Sequence, residues 1–476
     1  MMHFAADPEF NVYLASMKGD PKTLHILRNP ATSLLILRPA EDMNDSREIE
    51  IIGRAETIRD ERLRQEAFEL ISRKSPVVKY LRESNNTSIL EAIKIIPEVV
   101  KFRVFREIVQ GMPPTVFQFR RAAETTSEYR QLWEKLRNWW VAIRLPFLTA
   151  ALVPILLGSA IGWAEMGTFR WSLFLLTLLA GLFLHIGTNV INDYYDYKSG
   201  NDEVNVEFVR PFSGGSRVIQ LGLLSPLEML SGALFFFILG AGIGLYLAWA
   251  VSPLLLLLGI VGVVSGFFYT APPFNWASRG IGELLVGFNF GVLMTVGAYI
   301  VQTGTWSWQP VIASIPIALL IAAVLYINEF PDYKADKAVN KTHIVVRLGL
   351  ARGIKVYVGL MALPYLSLVI AVLTAAITPY ALIGLVTLPL ALRAVFLARK
   401  YYAQPFDLAP ANALTAVTHL MTGLMLCLAY VHVAAGAREL SYTLVLGIAA
   451  IVTVVLFYRH IERQRAAFQG LKQVLA

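Results

Sequence analysis

Charge is scarce in this chain: Asp, Glu, Lys and Arg make up 16% of its 476 residues, against 56% hydrophobic. A soluble domain carries roughly 25% charge, so this chain cannot cover its surface with polar groups. That excludes an average soluble enzyme, and the high hydrophobicity excludes a disordered chain. Cysteine is almost absent. Cys427 stands alone in an apolar run, which rules out an internal disulfide and a cysteine-based zinc or iron–sulfur site. The seven histidines form no HExxH pattern and give little support to a haem protein. Residues 1–30 show no apolar segment of the kind a secretory signal needs, so none is expected.

Long apolar runs are abundant, and they begin near residue 138. Ten spans are expected, over about 139–163, 171–192, 227–250, 253–270, 281–301, 310–330, 355–376, 379–397, 412–434 and 440–458. The mean hydropathy of +0.55 agrees with them. Lys and Arg gather in alternate loops: Lys198, Arg210 and Arg217 follow the second span, and Lys334, Lys337, Lys341, Arg347, Arg352 and Lys355 follow the sixth. This positive-inside bias puts both termini on the cytoplasmic side of the membrane. The net charge of +8 then reflects topology, with no nucleic-acid partner implied.

The first 120 residues differ. Asn11–Met17, Thr23–Leu27, Ser33–Leu37 and Glu48–Ile52 read as strands, Asp60–Arg73 as a helix, and Val99–Ile108 and Val116–Phe119 as late strands. A small α+β domain over 1–120 is expected, then a charged linker or interfacial helix over 121–137, then the membrane domain over 138–476. Trp139 and Trp140 suit the headgroup interface.

Two short segments carry the chemistry. Residues 192–198 read Asn-Asp-Tyr-Tyr-Asp-Tyr-Lys, and 328–334 read Asn-Glu-Phe-Pro-Asp-Tyr-Lys. Each closes an apolar helix, and four helices separate them, so both lie on one side. Asn192 and Asp196 share a helix face, as do Asn328, Asp332 and Asp336, with Pro331 a point of distortion. Asp202 falls beyond Gly200, in the loop. Carboxylates at membrane level are costly and mark function. Clusters of oxygen donors without His or Cys suit Mg²⁺ held together with substrate phosphates. Lys198, Arg210, Arg217 and Lys334 are near enough in sequence to bind a diphosphate, or simply to anchor the helix ends.

These residues resemble the UbiA-type intramembrane prenyltransferases, whose two Asp-rich motifs end the second and sixth helices. The likeness spans about 135–435 and includes Gly214-Gly215-Ser216-Arg217, Tyr269-Thr270-Ala271-Pro272-Pro273, Gly280-Ile281-Gly282-Glu283 and Val345-Val346-Arg347-Leu348-Gly349. It looks most like the 1,4-dihydroxy-2-naphthoate polyprenyltransferases of menaquinone synthesis. The resemblance implies a nine-helix core, which the span over 440–458 extends by a tenth. It also implies Mg²⁺-assisted ionisation of a polyprenyl diphosphate, then attack of an aromatic ring on the allylic cation. Asn192, Asp193, Asp196, Asp332 and Asp336 would serve the metal–diphosphate site. Tyr195, Tyr269 and Phe330 would offer ring faces to the cation, and Lys198, Arg217, Asn328, Lys334 and Asp202 would bind substrate. Many members carry a third Asp where this chain has Gly200, and Asp202 is its candidate replacement. Other acceptors (4-hydroxybenzoate, a tocopherol-type ring, a lipid alcohol) stay open, as does, further off, an ion-coupled transporter. A membrane-anchored flavoprotein is disfavoured, since ten spans exceed what an anchor needs.

The N-terminal pieces Tyr13-Leu14-Ala15-Ser16, Leu27–Leu34 and Ile52-Gly53-Arg54-Ala55-Glu56 resemble the split barrel of pyridoxamine-phosphate-oxidase-like flavoproteins. The helix and two strands that open such a fold are missing. A noncatalytic docking or dimerising domain is therefore expected ahead of one that binds FMN.

Overall fold

The computed structural model describes residues 3–17, 30–38, 40, 42, 45–84, 86–105, 114–119, 128–201, 205, 212–220 and 223–436, with single positions at 448, 452 and 459. It divides into two compact units, Met1–Arg130 and Gln131–Ala476. Asp202, Arg210, the expected strand Thr23–Leu27 and nearly all of the expected span 440–458 lie outside the described residues.

Among the described residues, the first unit is an antiparallel sheet with two α-helices. Its strands are β1 (His3–Ala6), β2 (Val12–Met17), β3 (Ala31–Arg38), β4 (Arg47–Thr57), β5 (Leu90–Val104) and β6 (Thr115–Gln118), ordered β1-β2-β5-β4-β3 with β6 also on β5. The long β5 organises the sheet because it pairs with β2, β4 and β6 along its length. Its register against β4 slips at Ile52/Gly53, and a Cβ on Gly53 would lie 2.1 Å from the Ile96 carbonyl oxygen. Glycine permits that bulge. Helix α1 (Glu61–Ser72), capped by Asp60, buries Ala67, Phe68 and Ile71 of the stripe that periodicity predicts, whereas its fourth member, Leu63, is exposed. Helix α2 (Pro76–Glu83) starts at the Ser75 cap and was not anticipated.

The described residues of the second unit form helices and the turns between them, with no strand. Helix α3 (Glu128–Ala142) stops at Arg144, whose left-handed backbone (φ 54°) breaks the apolar run expected to be continuous from 139. The membrane-length helices are α4 (Thr149–Met166), α5 (Trp171–Lys198), α6 (Pro226–Ala250), α8 (Gly282–Thr303), α9 (Trp308–Ala338), α10 (Leu350–Leu373), α11 (Pro379–Tyr401) and α12 (Pro405–Ala435). Between α6 and α8 lies α7 (Leu254–Phe267), apolar but short. Eight described helices are thus long and apolar enough to cross a bilayer, where the intrahelical ladder satisfies backbone groups that lipid cannot. Local signals set their ends: Ser225 and Glu228 form a capping box ahead of α6, and Gly167 and Gly304 close α4 and α8. Helix α9 runs through Pro331 without interruption to Ala338. Tyr357 bonds Thr415 (2.6 Å) and Thr387 bonds Thr422 (2.7 Å), joining α10 and α11 to α12 by the interhelical hydrogen bonds usual in membranes.

Small residues decide how closely α4 and α8 approach. Gly158 and Gly162 lie four apart on α4; a Cβ on Gly158 would fall 2.0 Å from the Thr295 carbonyl oxygen. A backbone atom cannot swing aside as a side chain can. Gly158→Val should therefore destabilise the helical unit by about 1–3 kcal/mol or more through overpacking. Thermal unfolding in detergent measures this, and an unchanged midpoint would show that the close approach is unimportant.

Candidate active site

The end of α5 presents His185, Asn189, Asn192 and Asp196 at spacings of four, three and four residues, which is one helix face. The end of α9 does the same with Asn328, Glu329, Asp332 and Asp336. Both faces line one cavity of about 350 Å³. Its other walls are largely apolar, among them Leu255, Leu258, Leu293, Tyr269 and Phe290. A polar mouth thus opens on a greasy slot.

Hydrogen bonds fix the carboxylates. Asn192 Nδ2 donates to Asp196 Oδ2 at 2.9 Å, and Asn205 Nδ2 donates to Asp332 Oδ1 at 2.6 Å. Asn201 Nδ2 donates to Asp336 Oδ1 at 2.9 Å. Lys341, just beyond α9, joins the two helices: its Nζ is 3.4 Å from Asp196 Oδ1 and 3.7 Å from Asp336 Oδ1. Burial pulls the Lys341 ammonium down, but Asp196 and Asp336 outweigh it and hold the group well above its usual range. His343 Nε2 lies 2.9 Å from Asp336 Oδ2. Asn328 accepts from Asn412 of α12 at 2.7 Å.

The stretch 212–217 closes over this end. Gly214 and Gly215 take positive φ (78° and 64°), a conformation that costs other residues energy. The turn sends the Gly214 amide toward Asp332 Oδ2 (3.4 Å) and the Ser216 amide to Asp193 Oδ2 (3.2 Å). Arg217 braces it by donating to the carbonyls of Gly214 and Asn205.

Not every expected residue meets the cavity. Asp193 is buried but turns aside, toward Ser216 and Arg144 (3.9 Å), and so secures the loop. Arg217 acts within the loop. Lys198 and Lys334 are exposed and absent from the cavity wall. Tyr195 and Phe330 pack in helix interfaces, while Tyr269 does line the cavity. The cationic groups that do reach the cavity are Lys341, His343 and Arg144. Lys341 was read only as a topological charge, and the other two were not singled out. Asp196 and Asp336 flank the Lys341 ammonium, and Asn192 and Asp332 line the same cavity, together an oxygen donor set that fits a hard divalent cation.

A model of the UbiA prenyltransferase family matches residues 151–413. The 1,4-dihydroxy-2-naphthoate octaprenyltransferase of Bacillus subtilis (strain 168) is 29% identical over 290 residues, covering 60% of this chain and 90% of that protein. The protein of the same name from Mycobacterium tuberculosis is 31% identical over 258 residues, 54% of this chain and 84% of its own. A solved UbiA homologue from Archaeoglobus fulgidus, bound to DMAPP and Mg²⁺, aligns with a TM-score of 0.44 at 18% identity, over 61% of this chain and 99% of that one.

Proposed function

This chain belongs to the UbiA prenyltransferase family, and from that premise we propose that it transfers a polyprenyl group from its diphosphate to 1,4-dihydroxy-2-naphthoate. The carrying observation is the meeting of two carboxylate-bearing helix ends at the polar mouth of an otherwise apolar cavity. The names of the two octaprenyltransferase relatives support the acceptor.

Asn192, Asp196, Asp332 and Asp336 would hold Mg²⁺, which when bound neutralises the departing diphosphate. Lys341 is the ammonium placed to follow the diphosphate charge, in preference to Lys198 and Lys334. The C–O bond to the allylic carbon breaks, the acceptor ring carbon attacks, and the ring loses a proton. Tyr269 offers its ring face to positive charge at the cavity wall. The apolar slot seats the isoprenoid chain and keeps out water, which would otherwise capture the cation. Asp193 and Arg217 hold the covering loop in place. The site faces the cytoplasm on this reading, because Lys and Arg concentrate at that end of the helices.

Membranes containing the protein should transfer a labelled prenyl chain to 1,4-dihydroxy-2-naphthoate only with Mg²⁺ present, and excess EDTA should abolish the transfer. Full activity in EDTA would refute the metal role. Preference for 4-hydroxybenzoate or another ring in the same assay would refute the acceptor while leaving the chemistry.

A further inference from the structure

We propose that Glu283, Glu329 and His343 form a second metal site, selective for a transition-type divalent ion and separate from the all-oxygen cluster. One ligand atom from each of the three buried residues lies within 4.8 Å of the other two. The residues come from three parts of the fold: the start of α8, the end of α9 and the segment after it.

Three observations point to a ligand. Glu283 is 3% exposed, and while its Oε1 accepts the Ile344 amide at 2.8 Å, its Oε2 has no hydrogen-bond partner. A bare carboxylate oxygen in so dry a place is expensive unless a cation or proton meets it. Second, His343 Nδ1 and Glu329 Oε2 stand 3.1 Å apart, yet each lacks a properly formed hydrogen bond. Metal–ligand bonds of about 2.1 Å put neighbouring donor atoms roughly 3.0–3.4 Å apart, so the gap suits two corners of a coordination sphere. Third, the other ring nitrogen of His343 faces Asp336 at 2.9 Å. Metal-bound histidines commonly donate that N–H to a carboxylate, which orients the ring and strengthens the ligand.

Charge points the same way. Lys341 pairs with Asp196 and Asp336, His343 with Glu329 and Asp336, and Arg144 with Asp193. Glu329 and Asp336 thus meet the two ring nitrogens of His343, and a divalent ion beside them would offset more of this negative charge than the ring alone. A nitrogen ligand among carboxylates favours Zn²⁺, Mn²⁺, Fe²⁺ or Co²⁺ over Mg²⁺.

The test uses the full chain in detergent, stripped with EDTA and titrated with Co²⁺ under saturating Mg²⁺, and it requires no prenyl transfer. The expected result is one Co²⁺ per chain. Glu283→Gln and Glu329→Gln should each weaken Co²⁺ binding by about 100-fold or more, while Asp332→Asn, in the oxygen cluster, should leave it nearly unchanged. Displacement of Co²⁺ by Mg²⁺, or binding that depends on Asp332 and not on Glu283, would overturn the site. Should the glutamine variants fail to fold, Mn²⁺ bound to the wild-type chain decides: pulsed EPR must show coupling to one imidazole nitrogen, and its absence ends the proposal.

Discussion

Asp332→Asn and Asp196→Asn should each lower turnover about 10³-fold, with the protein still inserted and folded. Groups aimed at charge that develops in a transition state are worth about 10²–10³ each by mutagenesis, and these two would also hold the metal. Asparagine keeps the shape and removes the negative charge. At 332 it also sets an amide against Asn205 Nδ2, the donor that now reaches Asp332 Oδ1 at 2.6 Å. Asn205→Ala removes only that brace and should cost far less, about tenfold. Because the two aspartates serve one unit, the double variant should be little worse than either single one. Turnover, gel filtration and thermal unfolding together make the check. Near-normal turnover of a folded Asp332→Asn would remove Asp332 from the site, and strictly multiplicative losses would show that the two carboxylates work apart.

The long helices and these carboxylates were legible because both depend on local periodicity. A run of apolar residues has one stable form in lipid, and four-residue spacing puts Asn192 with Asp196 and Asp332 with Asp336 on one face whatever the tertiary packing. The same geometry could have excluded three residues. Asp193 is one position from Asn192, about 100° around the helix, and Lys198 and Lys334 are two positions from Asp196 and Asp332, about 200° around. They were grouped by motif, whereas the backbone directs them elsewhere: Asp193 to the Ser216 amide, the lysines to the exterior. Glu329, three before Asp332, fell on the productive face and was passed over.

What the sequence could not give is the pairing made by loops. Lys341 and His343 reach Asp196 and Asp336 only because the chain turns after α9, with Asn340 at φ 59°. In a one-dimensional reading Lys341 is one more cytoplasmic charge. Arg144 was hidden similarly, since its left-handed break interrupts a run that composition alone reads as one span. In the N-terminal unit alternation located β2, β3, β4 and β6, but not β1 (His3–Ala6) or the extent of β5. Its fifteen residues are held by three partners, and alternation does not show which strands will meet.

Lys341→Met should lower kcat/KM for the polyprenyl diphosphate by about 10²–10³, with a second effect opposite in direction for the metal. The Lys341 ammonium stands between Asp196 and Asp336, two of the carboxylates that would hold a divalent cation. Removing it takes away a charge that follows the diphosphate, so catalysis falls. It also leaves two carboxylates facing each other, and an uncompensated buried charge costs about 3–5 kcal/mol. The variant should therefore melt well below the wild type in EDTA and regain most of that loss in Mg²⁺, because a ligand that binds only the folded state stabilises it. Its Mg²⁺ affinity without substrate should rise even as turnover drops. A lysine that merely anchors topology would alter none of these quantities. Lys341→Arg separates the parts, since it keeps the positive charge: its stability in EDTA should stay near wild type, while its bulkier head restores the rate only in part. Should Lys341→Met keep turnover within twofold of wild type, the ammonium has no part in handling the diphosphate, and Arg144 becomes the next cation to test at the cavity wall.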